Sequence, residues 1–260
     1  MYKKINVDFA LNKILKKDDL FKGDYTIDPY QNCEFGCLYC DSSFEKRISI
    51  KDNIIKLLKM EIKNIPIKSN IIIGSVHDPY QKIEEKEKKT QEILKLIIEN
   101  NFSCHILTKS NLILRDIELL KKIKKLKVTI SLSSINKKNT SIFEKKIIKP
   151  KERLKLVRIL NNNNIECGVA LIPYMPFIID NEIEEIFLKV KKAKSKFFIY
   201  KYLELKGDQK NIFFKIIKNN YPNFLVNYEK IYKNSYYPSE KYRKIIDEKM
   251  VRLKKIYGFK

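Results

Sequence analysis

Three of the five cysteines of this chain lie within eight positions, in the segment QNCEFGCLYC at residues 31–40. Cys33, Cys37 and Cys40 have the spacing Cx3CxxC, and an odd number of thiols this close together does not suit a framework of disulfide bridges. A structural zinc ion usually takes four ligands, often as two separated pairs. The side chains outside the segment that could supply a fourth ligand are Cys104, Cys167, His77 and His105.

An iron–sulfur cluster is a second way to use three thiolates. A 4Fe–4S cube has four irons, so three cysteines leave one iron free to bind something else. An open coordination position indicates chemistry, whereas a closed one indicates a structural role. Gly36 suits a loop that wraps around such a cube, because glycine readily adopts unusual backbone angles. The residues alone leave both the cluster and the zinc loop open.

The Cx3CxxC spacing with an aromatic residue, Tyr39, before the last cysteine resembles the motif of the radical S-adenosylmethionine (radical SAM) superfamily. The resemblance implies that Cys33, Cys37 and Cys40 hold a 4Fe–4S cluster whose open iron is chelated by S-adenosylmethionine. It also implies that one electron cleaves this cofactor to a 5′-deoxyadenosyl radical, which abstracts hydrogen from unactivated carbon. Tyr39 would lie against the adenine, or else take part in ordinary loop packing.

The elements that must position these cysteines follow from apolar periodicity. Strands are predicted at 24–30, 69–76, 102–110, 127–134, 165–173 and 196–205, and helices at 50–63, 84–100, 115–125, 150–164 and 181–194. Strands that alternate with helices predict an α/β protein with a parallel sheet, most simply a partial (β/α)6 barrel. The predicted organisation is an N-terminal extension (1–20), a barrel core (21–205) and a mainly helical C-terminal extension (206–260).

A barrel of parallel strands carries its function at the carboxyl ends of the strands and in the loops after them. The cysteine loop and the segments GSVHDPYQ, TKS, SLSS and IPYMP all follow predicted strands. In order, IDPYQNCEFGCLYC, GSVHDPYQKIEEK, LTKSNLILRD and GVALIPYMPFIIDN resemble the spore photoproduct lyase-like branch of the superfamily, often labelled DNA-repair photolyases. This resemblance covers roughly residues 20–205.

The resemblance implies a site for S-adenosylmethionine at these strand ends. Gly74 and Ser75 would present their backbone to the methionine amine, and glycine there also permits close approach. The residues implied at the methionine carboxylate or the ribose are Lys109 and Ser131 or Ser133, and those implied beside the adenine are Ile172 and Pro173, which could instead merely cap a core strand.

Arg153 has two possible roles. It begins the helix predicted after the fourth strand, where a guanidinium could pair bidentately with the cofactor carboxylate. The alternative is a surface salt bridge with Glu152 or Glu144.

Asp78 and Tyr80, in HDPYQ, lie on the presumed substrate side and are the candidate catalytic residues. An Asp-Pro pair is also a common turn former, so a structural role is the alternative. Aligning this Asp with the lyase pattern puts Ser75 where that pattern has a hydrogen-donating cysteine. Because a serine O–H is a poor hydrogen-atom donor, the resemblance does not carry thymine-dimer reversal to this chain.

The formal net charge of +23 comes mostly from lysines spread over the whole sequence. Such a protein attracts polyanions through salt-sensitive contacts, and together with the family resemblance this favours a nucleic acid or nucleobase substrate. A general bias toward Lys, Ile and Asn would give the same charge. A peptide or small-metabolite substrate therefore stays open, as does a non-catalytic zinc- or nucleic-acid-binding protein.

The remaining expectations concern compartment and partners. There is no run of about eighteen apolar residues and no apolar signal-peptide core, so we expect a cytoplasmic protein without a membrane span. That compartment keeps thiols reduced, as a thiolate-held cluster requires. The resemblance also implies an electron donor such as flavodoxin or ferredoxin.

Overall fold

A computed structural model describes residues 2–16, 18–43 and 47–259 of the chain. The strands are β1 (Tyr2–Ile5), β2 (Asn12–Lys13), β3 (Tyr25–Ile27), β4 (Tyr30–Gln31), β5 (Ile48–Lys51), β6 (Asn70–Ile73), β7 (Ser103–Thr108), β8 (Leu126–Ser131), β9 (Glu166–Tyr174) and β10 (Phe198–Tyr202). The helices are α1 (Ile54–Glu61), α2 (Glu84–Glu87), α3 (Lys89–Glu99), α4 (Ile117–Leu120), α5 (Lys137–Phe143), α6 (Pro150–Asn162), α7 (Ile183–Lys192), α8 (Asp208–Asn220), α9 (Leu225–Ile231) and α10 (Glu240–Tyr257).

The main sheet has the strand order β10-β9-β8-β7-β6-β3-β2. The first six strands pair in parallel, and β2 pairs antiparallel with β3 at the edge. Ile73, Ile106 and Val128 form one fully buried row across three neighbouring strands. Such apolar strands are typical of parallel sheets covered on both faces. The predicted α/β fold with a (β/α)6 partial barrel is confirmed.

The helices on the outside bury one face each. In α7, Ile183, Ile186, Phe187 and Val190 are buried, at the i, i+3, i+4 and i+7 positions of a single helical face. The C-terminal helix α10 packs against α7. Among the described residues, no helix combines the length and the hydropathy that crossing a bilayer requires.

The prediction of a helix at 50–63 is wrong at its start, because residues 48–51 form a strand. They form β5, which pairs with β1 in parallel and with β4 antiparallel in a small second sheet. Ile48 and Ile50 are buried while Ser49 and Lys51 are partly exposed, the two-residue alternation of a half-buried strand. The helix α1 begins only at Ile54.

Three further segments differ from the predicted helices. The helix predicted at 84–100 is divided by Lys88, whose φ of 52° separates α2 from α3. The segment 115–125 contains only the short α4, after a 3-10 turn at Asn111–Asp116. The helix α5 was not predicted, although Asn136 caps it by accepting the Lys138 N–H at 2.8 Å.

Residues after 205 form α8, α9 and α10. Tyr200 and Tyr202 of β10 both donate to Asp247 of α10 at 2.7 Å, so this helical segment is bonded to the last strand of the barrel. At the other end of the chain, β1 pairs with β5 and β2 pairs with β3. The division into 1–20, 21–205 and 206–260 stays a prediction.

Candidate active site at the carboxyl ends of the parallel strands

A cavity of about 340 Å³ opens at the carboxyl ends of the parallel strands. The predicted site residues that line it are Cys33, Cys37, Cys40, Tyr39, Gly74, Ser75, Asp78, Lys109, Ser131, Ile172 and Pro173. Tyr80, Ser133 and Arg153 are buried, but they are not among the described residues that line the cavity. The fold therefore brings most of the predicted residues together around the cavity, and these three are buried outside its lining.

The cysteine loop owes its shape to two left-handed backbone positions, Asn32 (φ 67°) and Gly36 (φ 62°). A Cβ at Gly36 would meet no atom within 4 Å, so the backbone angle rather than the space favours glycine. The Cys40 N–H donates to the Cys37 carbonyl at 3.1 Å and closes the second half of the loop. These turns bring all three thiols to the cavity.

The Cys33 and Cys37 thiols lie in poorly solvated surroundings. Burial, reinforced by Asp78, raises the pKa of Cys33 to about 11. Burial also raises the pKa of Cys37 to about 12, although the Lys109 ammonium opposes the shift. Without metal both thiols are protonated at neutral pH, and metal binding must release those protons.

Tyr39 begins a buried chain of polar groups. Its hydroxyl donates to the Glu144 carboxylate at 2.5 Å, and Glu144 pairs with the Arg153 guanidinium, also at 2.5 Å. Arg153 donates in addition to the Ser131 carbonyl at 3.0 Å. Burial would raise the pKa of Glu144, but Arg153 outweighs it and lowers the pKa.

This arrangement corrects one of the two roles considered for Arg153. The ion pair with Glu144 is formed, but it is in the interior, because the Arg153 side chain is 1% exposed. A surface salt bridge is therefore wrong in its location. The guanidinium contacts Glu144 and the Ser131 carbonyl, and Glu144 in turn accepts from the Tyr39 hydroxyl. A direct bond from Arg153 to the cofactor carboxylate stays a prediction.

Asp78 joins the loop after β6 to the end of β7. One carboxylate oxygen accepts from the Thr108 hydroxyl at 2.7 Å and from the Tyr80 N–H at 2.9 Å, and the other accepts from the Lys109 N–H at 2.7 Å. Burial raises the pKa of Asp78 although these donors oppose the shift. With both oxygens engaged, Asp78 holds two strand ends together. Catalytic roles for Asp78 and Tyr80 stay predictions.

Lys109 places a cation beside the thiols. Burial lowers the pKa of Lys109, but the neighbouring Cys37, Glu144 and Asp78 outweigh that effect and raise it. The ammonium is therefore charged at neutral pH. A cation that lines the cavity in poorly solvated surroundings is suited to bind an anionic group such as a carboxylate.

Gly74 is required by its surroundings. Its φ is 85°, and a Cβ there would lie 2.4 Å from the Leu107 carbonyl oxygen. The loop that follows is held by Asp28, whose carboxylate accepts from the His77 N–H at 3.4 Å. Burial raises the pKa of Asp28 to about 6, against the opposing effect of the backbone N–H groups that face it.

The opposite wall of the cavity is formed by the ends of β8 and β9. The Ser131 hydroxyl donates to the Ile172 carbonyl at 3.1 Å, which ties the two strands together. Ile172 and Pro173, joined by a cis peptide bond, present apolar surface to the cavity. Such a wall suits a flat ring such as adenine.

The sequence model of the Radical SAM superfamily matches residues 27–190, well over half of the chain. The chain belongs to the radical SAM superfamily. It is 29% identical over 208 residues to an uncharacterised protein of Methanocaldococcus jannaschii, which covers 76% of each chain. An uncharacterised protein of Mycobacterium tuberculosis is 22% identical over 264 aligned positions, which cover 94% of this chain and 77% of the other.

Two solved structures share the fold. A spore photoproduct lyase variant with bound S-adenosylmethionine and dinucleoside spore photoproduct matches with a TM-score of 0.69 at 15% identity, over 98% of this chain and 79% of the lyase. SuiB of Streptococcus suis bound to S-adenosylmethionine matches with a TM-score of 0.51 at 17% identity, over 75% of this chain and 46% of SuiB. At these identities the likeness concerns the fold.

Membership of the radical SAM superfamily implies an enzyme that uses S-adenosylmethionine and an iron–sulfur cluster. The residues fit both groups: three thiols, a partly buried ammonium and an apolar wall share one cavity. Among the described residues, no three His, Cys, Asp or Glu side chains converge on a point where a single metal ion could bind. A cube binds each thiolate to a different iron, so it does not need that convergence.

Several residues in or beside this cavity were not predicted from the sequence. Glu144 was considered only as a surface partner of Arg153, and its burial follows from α5, which was not predicted. Lys201 lies on β10 and Lys206 just after it; both line the cavity and pair with Glu204. Lysine and glutamate are so frequent in this chain that no sequence signal distinguishes these three.

Proposed function

We propose that this radical SAM enzyme assembles a 4Fe–4S cluster on Cys33, Cys37 and Cys40 and abstracts hydrogen from a nucleic acid or nucleobase. The observation that carries the proposal is the presence of these three thiols and the Lys109 ammonium in one cavity at the strand ends. When bound, the cluster supplies the electron that cleaves S-adenosylmethionine and so yields the 5′-deoxyadenosyl radical.

The chain's own residues would bind and orient the cofactor. Lys109 would bind the methionine carboxylate, because its ammonium is charged and poorly solvated. Gly74 and Ser75 would bring backbone groups to the methionine amine, with the loop held by Asp28. Ile172 and Pro173 would pack against the adenine.

The remaining predicted residues would act through their neighbours. Arg153 and Glu144 fix the Tyr39 hydroxyl, and so the ring that would lie against the adenine. Asp78 fixes the backbone of Lys109. The Ser131 hydroxyl is bonded to the Ile172 carbonyl, so Ser131 would orient the wall rather than bind the ribose.

The residues at the mouth of the cavity favour an anionic substrate that contains an aromatic ring. Lys201 and Lys206 line it, and Lys206 lies 4.9 Å from the ring centroid of the exposed Tyr236. Phosphates suit such lysines, and an exposed aromatic ring can stack on a base. Burial would raise the pKa of Glu204, but donors from Lys201, Lys206 and Tyr237 lower it to about 2, so Glu204 holds both lysines in place.

The names of the structural neighbours point to two substrate classes. The lyase variant is described with bound dinucleoside spore photoproduct, and SuiB is also described with a precursor peptide. The net charge of +23 and the lysines at the mouth favour nucleic acid for this chain. A reductant such as flavodoxin or ferredoxin would have to supply the electron.

The test measures 5′-deoxyadenosine made by the anaerobically reconstituted enzyme with dithionite and S-adenosylmethionine. We expect single-stranded DNA or RNA to accelerate this reaction, and binding to weaken about 10³-fold between 50 and 200 mM salt. Lys201→Glu with Lys206→Glu should remove the acceleration. Lys124→Glu with Lys125→Glu, the same charge change at the other end of the barrel, should leave it intact. If 5′-deoxyadenosine formation is unchanged by nucleic acid but is accelerated by a peptide library, the proposed substrate class is overturned.

A further inference from the structure

Gln81 holds the backbone on both sides of the first cysteine. Its side chain is fully buried, and its amide nitrogen donates to the Asn32 carbonyl at 3.2 Å. Its amide oxygen accepts from the Glu34 N–H at 2.9 Å. One side chain from the loop after β6 thus holds the residues directly before and directly after Cys33.

Gln209 does the same at the last cysteine, from a distant part of the sequence. It is the second residue of α8, it is 6% exposed, and it lines the cavity. Its amide nitrogen donates to the Tyr39 carbonyl, which belongs to the peptide group that precedes Cys40. A helix beyond the barrel strands therefore reaches into the cysteine loop.

The middle cysteine is followed by a backbone anchor. The Leu38 N–H, immediately after Cys37, donates to the Phe143 carbonyl at the end of α5 at 3.0 Å. Each of the three cysteines thus has a neighbouring peptide group bonded to a separate element. Two of these three anchors are glutamine amides, which a single substitution can remove.

We propose that Gln81 and Gln209 are positioning residues that hold Cys33 and Cys40 at the separation the iron–sulfur cluster requires. The proposal rests on the proposed function. Three thiolates can bind one cube only if the loop keeps them in a fixed arrangement. The loop has left-handed turns at Asn32 and Gly36, so it depends on outside partners to suppress other conformations. A consequence is that residues after 205 form part of the cluster site.

The test compares Gln81→Leu and Gln209→Leu with Gln91→Leu. Leucine keeps a similar volume but removes the amide. Gln91 is the matched control, because its amide donates to Asp116 at 2.6 Å in a partly buried position outside the cavity lining. The readout is the rate at which reconstituted protein loses iron to a chelator, together with the electron paramagnetic resonance spectrum of the reduced cluster. Outer partners of metal ligands typically change metal affinity about 10- to 100-fold.

We expect iron loss about 10-fold faster or more in Gln81→Leu and Gln209→Leu, and an unchanged rate in Gln91→Leu. Wild-type rates in the first two variants would overturn the positioning role while leaving the proposed function standing. A wild-type protein that binds no iron–sulfur cluster would instead overturn the proposed function. Should a leucine variant fail to fold, Gln209→Glu decides, since it keeps the shape but replaces the donating amide with a carboxylate that cannot donate to the Tyr39 carbonyl and repels it. Wild-type iron retention in Gln209→Glu would overturn the proposal.

Discussion

The two ends of the barrel differ in a way that cavity size does not reveal. The carboxyl ends of the strands enclose about 340 Å³, whereas a depression at the amino ends has about 890 Å³. The larger one also contains a cysteine, a histidine and several lysines. The residues that illustrate this are Cys104, His105, Lys124, Lys125, Lys127 and Lys254.

The histidine of the larger depression is used in packing. Both His105 ring nitrogens are engaged, one with the Thr129 hydroxyl at 2.7 Å and one with the Phe21 carbonyl at 3.3 Å. The Phe197 ring lies where a Cβ of Gly168 would be, only 2.3 Å away. Aromatic rings thus close this end of the barrel. The smaller cavity instead is lined by the three thiols and by the Lys109 ammonium.

The largest expected difference between the two ends is in iron binding. Cys37→Ala should abolish formation of the cluster, because the cube loses one of its three protein ligands. Cys104→Ala should retain about four irons and four sulfides per chain, since this thiol lies at the amino end of β7. The measurement is iron and sulfide content after anaerobic reconstitution, with the absorbance near 400 nm.

Cys104→Ala also controls for the loss of a buried thiol as such. Cys37 and Cys104 are both buried, so a general packing defect would affect the two variants alike. Full iron loading in Cys37→Ala, or a loss of iron in Cys104→Ala, would contradict the assignment of the two ends.

The next largest effect concerns the ion pairs. Arg153→Ala leaves the Glu144 carboxylate charged, buried and unpaired, which typically costs about 3–5 kcal/mol of unfolding free energy. Lys127→Ala breaks the exposed pair with Glu166 at the other end and should cost about 0–1 kcal/mol. Urea unfolding of both variants measures the contrast. An Arg153→Ala protein as stable as the wild type would show that the buried pair does not hold the site.

The sequence was sufficient for the features that rest on local pattern. The six parallel strands are apolar runs, and the cysteine spacing is itself the signal for the site. Because parallel strands end at one edge, their trailing residues were expected to meet there, as Lys109 and Ile172 do.

The features that were missed depend on tertiary contacts. Residues 50 and 51 were predicted as the start of a helix, because β1 and β4, with which they pair, are distant in the sequence. Glu144 is buried only because α5 and α6 bring it between Tyr39 and Arg153. The bond from Gln209 to Tyr39 spans 170 positions of sequence, over which no periodicity extends.

The smallest effect compares one titrating group from each end. At the carboxyl end, burial raises the pKa of Asp28 to about 6 from 3.8, so the folded state keeps a proton that the unfolded state releases between pH 4 and 6. Stability due to Asp28 is therefore lost as pH rises through this window. At the amino end, burial lowers the pKa of His105 to about 4 from 6.5, so the unfolded state binds the extra proton and stability rises with pH.

The two slopes have opposite signs, and substitution isolates each. As pH falls from 6 to 4, Asp28→Asn should lose stability relative to the wild type, because only the wild type gains from its bound proton. His105→Gln should gain relative stability over about the same range. Each relative change should reach about 3 kcal/mol at most, from shifts of about two pKa units. Urea unfolding at half-unit pH steps measures the difference in unfolding free energy between each variant and the wild type. The contributions of all other titrating groups cancel in that difference. Slopes of the same sign would show that the two ends are not solvated as the structure requires.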